Sequence, residues 1–228
     1  MTTILKDNTL IMGLTMVLVL YGIQLASLPP GVPVSSRGDC VSNCYLQRNC
    51  SSVFHDGSTN KCQLSAEVFL QQDFTSTPNN MQYLEWRRDD CDKGYTWYRS
   101  LGLCYKIYNS TETWFQANHT CNQDGGYLIK VDSTGINEFM NKISDYYSVF
   151  IWLGGVQDDL SGKWTWTDGS VISPAYWMDG QPSTESEKCI GVHKVSTNLI
   201  RRWNDFPCIF YHISMFVCQL PLKEKPYC

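Results

Sequence analysis

An uncharged, largely apolar run from Leu10 to Leu25 opens the chain behind Lys6. It falls short of the roughly 20 residues that span a bilayer. The run reads as a secretory leader ending at Ala26, with a signal anchor as the rival reading. After the extended linker Leu28-Pro-Pro-Gly-Val-Pro, Cys40 and Cys44 lie one helical turn apart and share a face. Cys50-Ser-Ser-Val-Phe then reads as a strand, Asp56-Gly57 as a turn and Lys61-Cys-Gln-Leu as the returning strand. Further on, Tyr105 and Ile107 alternate with polar residues as in a short hairpin. Asn109 with Glu112 three residues later suits a helix start. Trp114, Ala117 and Cys121 follow on one face until Gly125-Gly126 stops the helix. Ser133 caps a second helix, on which Ile136, Phe139, Met140 and Ile143 keep the i, i+3, i+4, i+7 spacing of a buried stripe. Phe150-Ile-Trp-Leu-Gly-Gly, Trp164-Thr-Trp, Cys189-Ile-Gly-Val and Met215-Phe-Val-Cys read as strands. The segment from Ser170 to Lys188 has few regular signals, and a loop of that length in a compact domain is usually functional.

The 228 residues suffice for one large or two small domains. A formal net charge of -4 with no basic run argues against a nucleic-acid partner. The chain has 11 cysteines at irregular spacings and no Cys-x-x-Cys pair, which points to a disulfide framework in an oxidising compartment. His55, His119, His193 and His212 are scattered without metal-ligand spacing, so zinc is not expected. Asn109-Ser-Thr and Asn118-His-Thr are glycosylation acceptor triplets. Asn49-Cys-Ser also matches but adjoins a disulfide cysteine.

Cys40, Cys44, Cys50 and Cys62 allow three pairings, of which Cys44–Cys50 nested inside Cys40–Cys62 is preferred. This C-x3-C-x5-C-x11-C unit resembles the core of a PAN/apple domain, with Tyr83-Leu-Glu-Trp as its closing strand. Such modules bind proteins or glycans. The boundaries expected are a leader over 1–26, a PAN/apple-like domain over 27–88, a second domain over 89–221 and a tail over 222–228.

The second domain resembles a C-type lectin-like domain of the long form. The resemblance rests on Trp114, Ala117, Cys121, Gly126 and Leu128, then on Trp152-Leu-Gly-Gly. It continues through Trp177 and Gln181-Pro-Ser to Glu187-Lys-Cys189, Trp203-Asn-Asp205, Cys208 and Cys218. It implies an α+β fold of two helices packed on short antiparallel sheets, with a long irregular loop region. It also implies the bridges Cys91–Cys104, Cys121–Cys218 and Cys189–Cys208. Cys228 is then left over, which suggests a disulfide-linked homodimer.

In this family a Ca²⁺ ion is held by the residues flanking a proline, by a Glu before a Cys and by an Asn-Asp after a Trp. Carried over, the ligands are Gln181, Ser183, Glu187, Asn204 and Asp205, which would also bind two vicinal hydroxyls of a carbohydrate. Oxygen donors converging from loops suit a hard cation. A cis bond before Pro182 would turn its neighbours to the same side. Gln181 leans the specificity toward galactose, but Ser183 stands where that form has a carboxylate. With Glu187 and Asp205 as the only carboxylates among the five, a weakened ion site is expected. A second ion site would need acids at Gln157 and Ser161, so it is expected to be absent or weak.

The leading reading is a secreted, extracellular lectin recognising glycans or microbes with one Ca²⁺ and with no membrane span once the leader is cut. The alternative is a lectin-like domain that binds a protein ligand without sugar recognition. Enzyme chemistry is not supported: Gly-x-Ser-x-Gly, His-Glu-x-x-His and phosphate-loop patterns are all missing.

Overall fold

A computed structural model describes residues 9–11, 14–25, 30–70, 73–193, 200, 202–213 and 215–223. Its contacts divide the chain into one unit of residues 1–104 with 222–228, and a second of residues 105–221.

The first unit contains β1 (Thr9–Ile11), β2 (Leu14–Tyr21), β3 (Ile23–Gln24), β4 (Val32–Pro33), α1 (Arg37–Leu46), β5 (Ser52–Asp56) and β6 (Lys61–Ser65). After these come β7 (Thr75–Ser76), β8 (Met81–Arg88) and β9 (Thr96–Tyr98). Its main sheet runs β1–β2–β8–β5–β6–β4. Helix α1 starts where the Ser36 hydroxyl accepts a hydrogen bond from the Asp39 amide. Cys40 and Cys44 point inward from it to bridge Cys62 and Cys50. Trp86 on β8 is fully buried, and its indole N–H donates to Cys44 Sγ at 3.2 Å.

The long-form hairpin closed by Cys91–Cys104 packs with this first unit, although the sequence opens the second domain at 89. Arg99 is the reason. Its guanidinium donates to the carbonyls of Cys44, Tyr45 and Cys50 and lies 5.3 Å over the Trp86 ring. It thereby adds a donor to the Cys44 carbonyl, which already accepts from the Gln47 amide, and reaches the Tyr45 carbonyl in the last turn of α1. Within the apolar run read as a leader, Leu14–Tyr21 forms β2, antiparallel to β8 from Leu14↔Arg88 to Tyr21↔Gln82.

The second unit holds most of β10 (Leu103–Tyr108), then α2 (Trp114–Gln123), β11 (Tyr127–Leu128), α3 (Thr134–Tyr147), β12 (Ile151–Gln157) and β13 (Trp164–Trp166). It ends with β14 (Cys189–Val192), β15 (Trp203–Phe206) and β16 (Met215–Leu220). The sheet order is β15–β14–β12–β16–β10, with β11 paired to β16 and β13 to β12. Helix α2 begins later than Asn109 and Glu112 suggest. Thr113 is its cap, and the Thr113 amide donates to Gln116 Oε1. The box forms there because only Thr113 and Gln116 satisfy each other's backbone amides. The Glu112 carbonyl instead accepts from the Trp152 indole at 2.9 Å.

Cys121–Cys218 ties α2 to β16, and Cys189–Cys208 ties β14 to the segment after β15. With the three bridges above, these are the five pairs expected. Trp152, Trp166, Trp203 and Phe216 fill the core. Gly154 is there because β12 crosses β11 too closely for a side chain: a Cβ would sit 2.4 Å from the Leu128 carbonyl oxygen. Gly154→Ala should therefore cost about 1–3 kcal/mol, read as a drop in the midpoint of denaturant unfolding at unchanged slope.

Candidate functional site

The site is built where an irregular loop meets β15. Strand β15 pairs antiparallel with β14, setting Asn204 opposite Gly191 and Asp205 opposite Ile190. Trp203 anchors the strand: it is fully buried, and its indole N–H donates to Asn137 Oδ1 at 3.1 Å. The preceding loop is pinned from the same strand. Trp177 bridges to Trp203, and the Met178 amide donates to the Trp203 carbonyl. Trp177 and Trp164 are half-buried in a T-shaped pair, while Trp166 and Trp203 are core.

Asp205 decides the loop's shape. It is 0% exposed, and its Oδ2 accepts from the backbone amides of Ser183 at 2.8 Å and Thr184 at 3.3 Å. The Gln181–Pro182 peptide between the site's first two residues is cis. The Ser183 hydroxyl donates to Glu187 Oε2 at 3.3 Å. The Asn204 side-chain amide donates to the Asp205 carbonyl at 2.5 Å. Hydrogen bonds thus join Ser183 to both Asp205 and Glu187, while Asn204 bonds the main chain of its own neighbour and Gln181 stands two residues before Ser183.

Two oxygens in this set lack a protein partner. Asp205 Oδ1 and Gln181 Oε1 are both buried and accept no hydrogen bond. Neither Glu187 nor Asp205 forms an ion pair with any described lysine or arginine. A buried carboxylate oxygen with no donor and no counter-charge is costly, so such an atom calls for a bound ion or water. The donor set is all oxygen, which fits Ca²⁺. It is poor in charge. Among the described residues no group of three or more His, Cys, Asp or Glu is placed to hold a metal, because only two of these five positions are carboxylates.

The neighbouring loop is occupied differently. Asp159 is ion-paired with Lys188 Nζ. Asp158 Oδ1 accepts from the amide and hydroxyl of Ser161, each at 2.7 Å, and those bonds hold its carboxyl below the usual range. Gln157 Nε2 donates to the Gly162 carbonyl. Lys188 and the Thr184 amide were not singled out from the sequence. A lysine next to a cysteine carries no signal of a partner 29 residues away, and a backbone donor carries none at all.

Comparison with known proteins identifies the families of the two domains. The Lectin C-type domain family matches residues 110–220, and the PAN domain family matches residues 28–88. One chain of the snaclec agkisacutacin of Deinagkistrodon acutus is 31% identical over 138 residues, covering 57% of this chain and 84% of its own length. The C-type lectin lectoxin-Lio3 of Erythrolamprus poecilogyrus is 32% identical over 136 residues, covering 57% and 81%. Among solved structures, the herring type II antifreeze protein is 26% identical with a TM-score of 0.49, covering 58% of this chain and 100% of that one. The family is one of non-enzymatic binding domains. With relatives this similar over most of their own length, the chain belongs to the C-type lectin family, and a PAN domain precedes its lectin domain.

Proposed function

We propose that the protein is a secreted lectin, freed of residues 1–26, that binds carbohydrate through one Ca²⁺ held by Gln181, Ser183, Glu187, Asn204 and Asp205. The observation that carries this reading is the pair of buried oxygens without donors, Asp205 Oδ1 and Gln181 Oε1. When bound, the ion supplies a Lewis acid that polarises two vicinal sugar hydroxyls. The chain's own part is to hold the donors. Asp205 fixes the loop backbone through the Ser183 and Thr184 amides. Ser183 orients Glu187 by donating to its carboxylate, so its hydroxyl positions a ligand as well as offering one. Charge-assisted bonds from sugar hydroxyls to Glu187 then add specificity. Gln181 favours a galactose-type ligand.

A second reading, a protein ligand at the loop surface without sugar, is favoured by the charge count, since two carboxylates hold Ca²⁺ less tightly than three. Glycosylation is proposed at Asn109, which is exposed just after β10, and at Asn118, half-buried on α2. Cys228 lies outside the described residues and is proposed to link two copies.

Three measurements test these proposals. In calorimetric titration the wild type should take up Ca²⁺ with a Kd no tighter than about millimolar, Asp205→Asn should weaken it about tenfold or more, and Ser183→Asp should tighten it. No uptake in wild type or Ser183→Asp removes the sugar reading. On galactose and mannose resins, retention with Ca²⁺ and elution by EDTA supports the lectin and names its class. Passage through both leaves the protein-ligand reading. On non-reducing gels a dimer band should vanish in Cys228→Ser, and a wild-type monomer without reductant removes the dimer.

A further inference from the structure

The first unit offers β8 two neighbours of different standing. On one side β5 pairs with it from Ser52↔Glu85 to Asp56↔Met81, inside the disulfide-pinned PAN framework. On the other side lies β2, from the segment proposed to be removed on secretion. The seat beneath that segment is more than an edge of open amides. Its floor is an aromatic cluster, with Phe54–Tyr83 and Phe74–Tyr83 centroids 4.9 Å apart and Phe54–Phe69 5.3 Å apart. Val19, Leu20, Ile23 and Leu25 pack on that cluster. Met16, only 1% exposed, is seated on the opposite face, opposite Trp86 in the ladder.

The seat also holds a turn. Gly22, at φ +66°, donates from its amide to the Met81 carbonyl and accepts from the Thr77 amide, while Asn79 Nδ2 donates to the Ile23 carbonyl. An extended segment is thus read by main-chain bonds and by apolar pockets on alternate side chains, which is how a strand-adding site works. Removing residues 1–26 leaves β8 as an eight-residue edge above uncovered aromatic rings, an arrangement that proteins ordinarily cover or charge.

We infer that the mature PAN domain carries a strand-binding groove along β8, floored by Phe54, Phe69, Phe74 and Tyr83, which takes an extended, branched-aliphatic strand of a partner protein. The occupant's chemistry is the one residues 14–25 display in this seat. A second copy is a poorer match, because the edge it would offer, β8 itself, carries Gln82, Glu85, Arg87 and Arg88. The inference rests on leader removal. It is independent of the ion site.

The test uses the full secreted protein, whose intact mass first fixes its N-terminus. A fluorescent peptide of residues 14–25 with a solubilising lysine tail is then titrated by anisotropy. Saturable binding is expected. It should weaken at least tenfold when the peptide is N-methylated at alternate backbone positions, which removes ladder bonds without altering the protein. Phe74→Ser should weaken it as well, with thermal unfolding confirming that the variant is folded. Secreted protein that still carries residues 14–25, or equal binding of the N-methylated peptide, overturns the groove. Self-association of the mature Cys228→Ser protein that the peptide dissolves overturns the partner strand in favour of a second copy. Retention on sugar resins reports separately on the ion site, so either reading fails without the other.

Discussion

A carboxylate removed from water organises the functional half of this protein. Asp205 sits on β15 with no exposure, and the same residue that leaves one oxygen without a donor uses the other to hold two loop amides. Hydrogen bonds to a charged acceptor are stronger than neutral ones, so a loop with little regular structure is held in one conformation. The strand beneath cannot yield, because the neighbouring Trp203 is locked in the core by Asn137 and by the ring packing of Trp166, Tyr176 and Trp177. Cys189–Cys208 holds the opposite end of the same ladder. The loop and its strand are thus tied together by contacts within the chain.

Charge is where this copy departs from its family's pattern. Ser183 gives a hydroxyl where a carboxylate would add a negative charge, and its hydrogen bond goes to Glu187. Nearby, Lys188 supplies a cation to Asp159, so that loop's acid is balanced from within the chain. Under the proposed reading this leaves one ion position with two carboxylates, beside a loop whose Asp159 is already paired. A weak single site gains most from a second copy or a multivalent surface, since tethering raises effective concentration without new contacts.

The first unit is stabilised by other means. One bridge pins α1 to β6 and a second to the segment before β5, and Arg99 bonds the end of the helix from the long-form hairpin. That attachment makes the hairpin part of the PAN framework in packing, although in sequence it introduces the lectin domain. The β8 edge differs in kind, since its cover comes from the chain's own N-terminal run.

Local spacing made much of this architecture legible. Cys40 and Cys44 one turn apart, the i, i+3, i+4, i+7 stripe of α3 and the alternation in the strands are periodicities of a single element, so the residues themselves carry them. The five site positions are short motifs, and they are read through the resemblance to the lectin family that those motifs carry. The start of α2 at Thr113, the grip of Asp205 on the Ser183 and Thr184 amides, the Lys188–Asp159 pair and the seating of residues 14–25 on β8 were decided by tertiary structure. The physical reason is common to them. Each depends on whether a buried polar group or strand edge finds a partner across the fold, and that choice leaves no periodic trace along the chain.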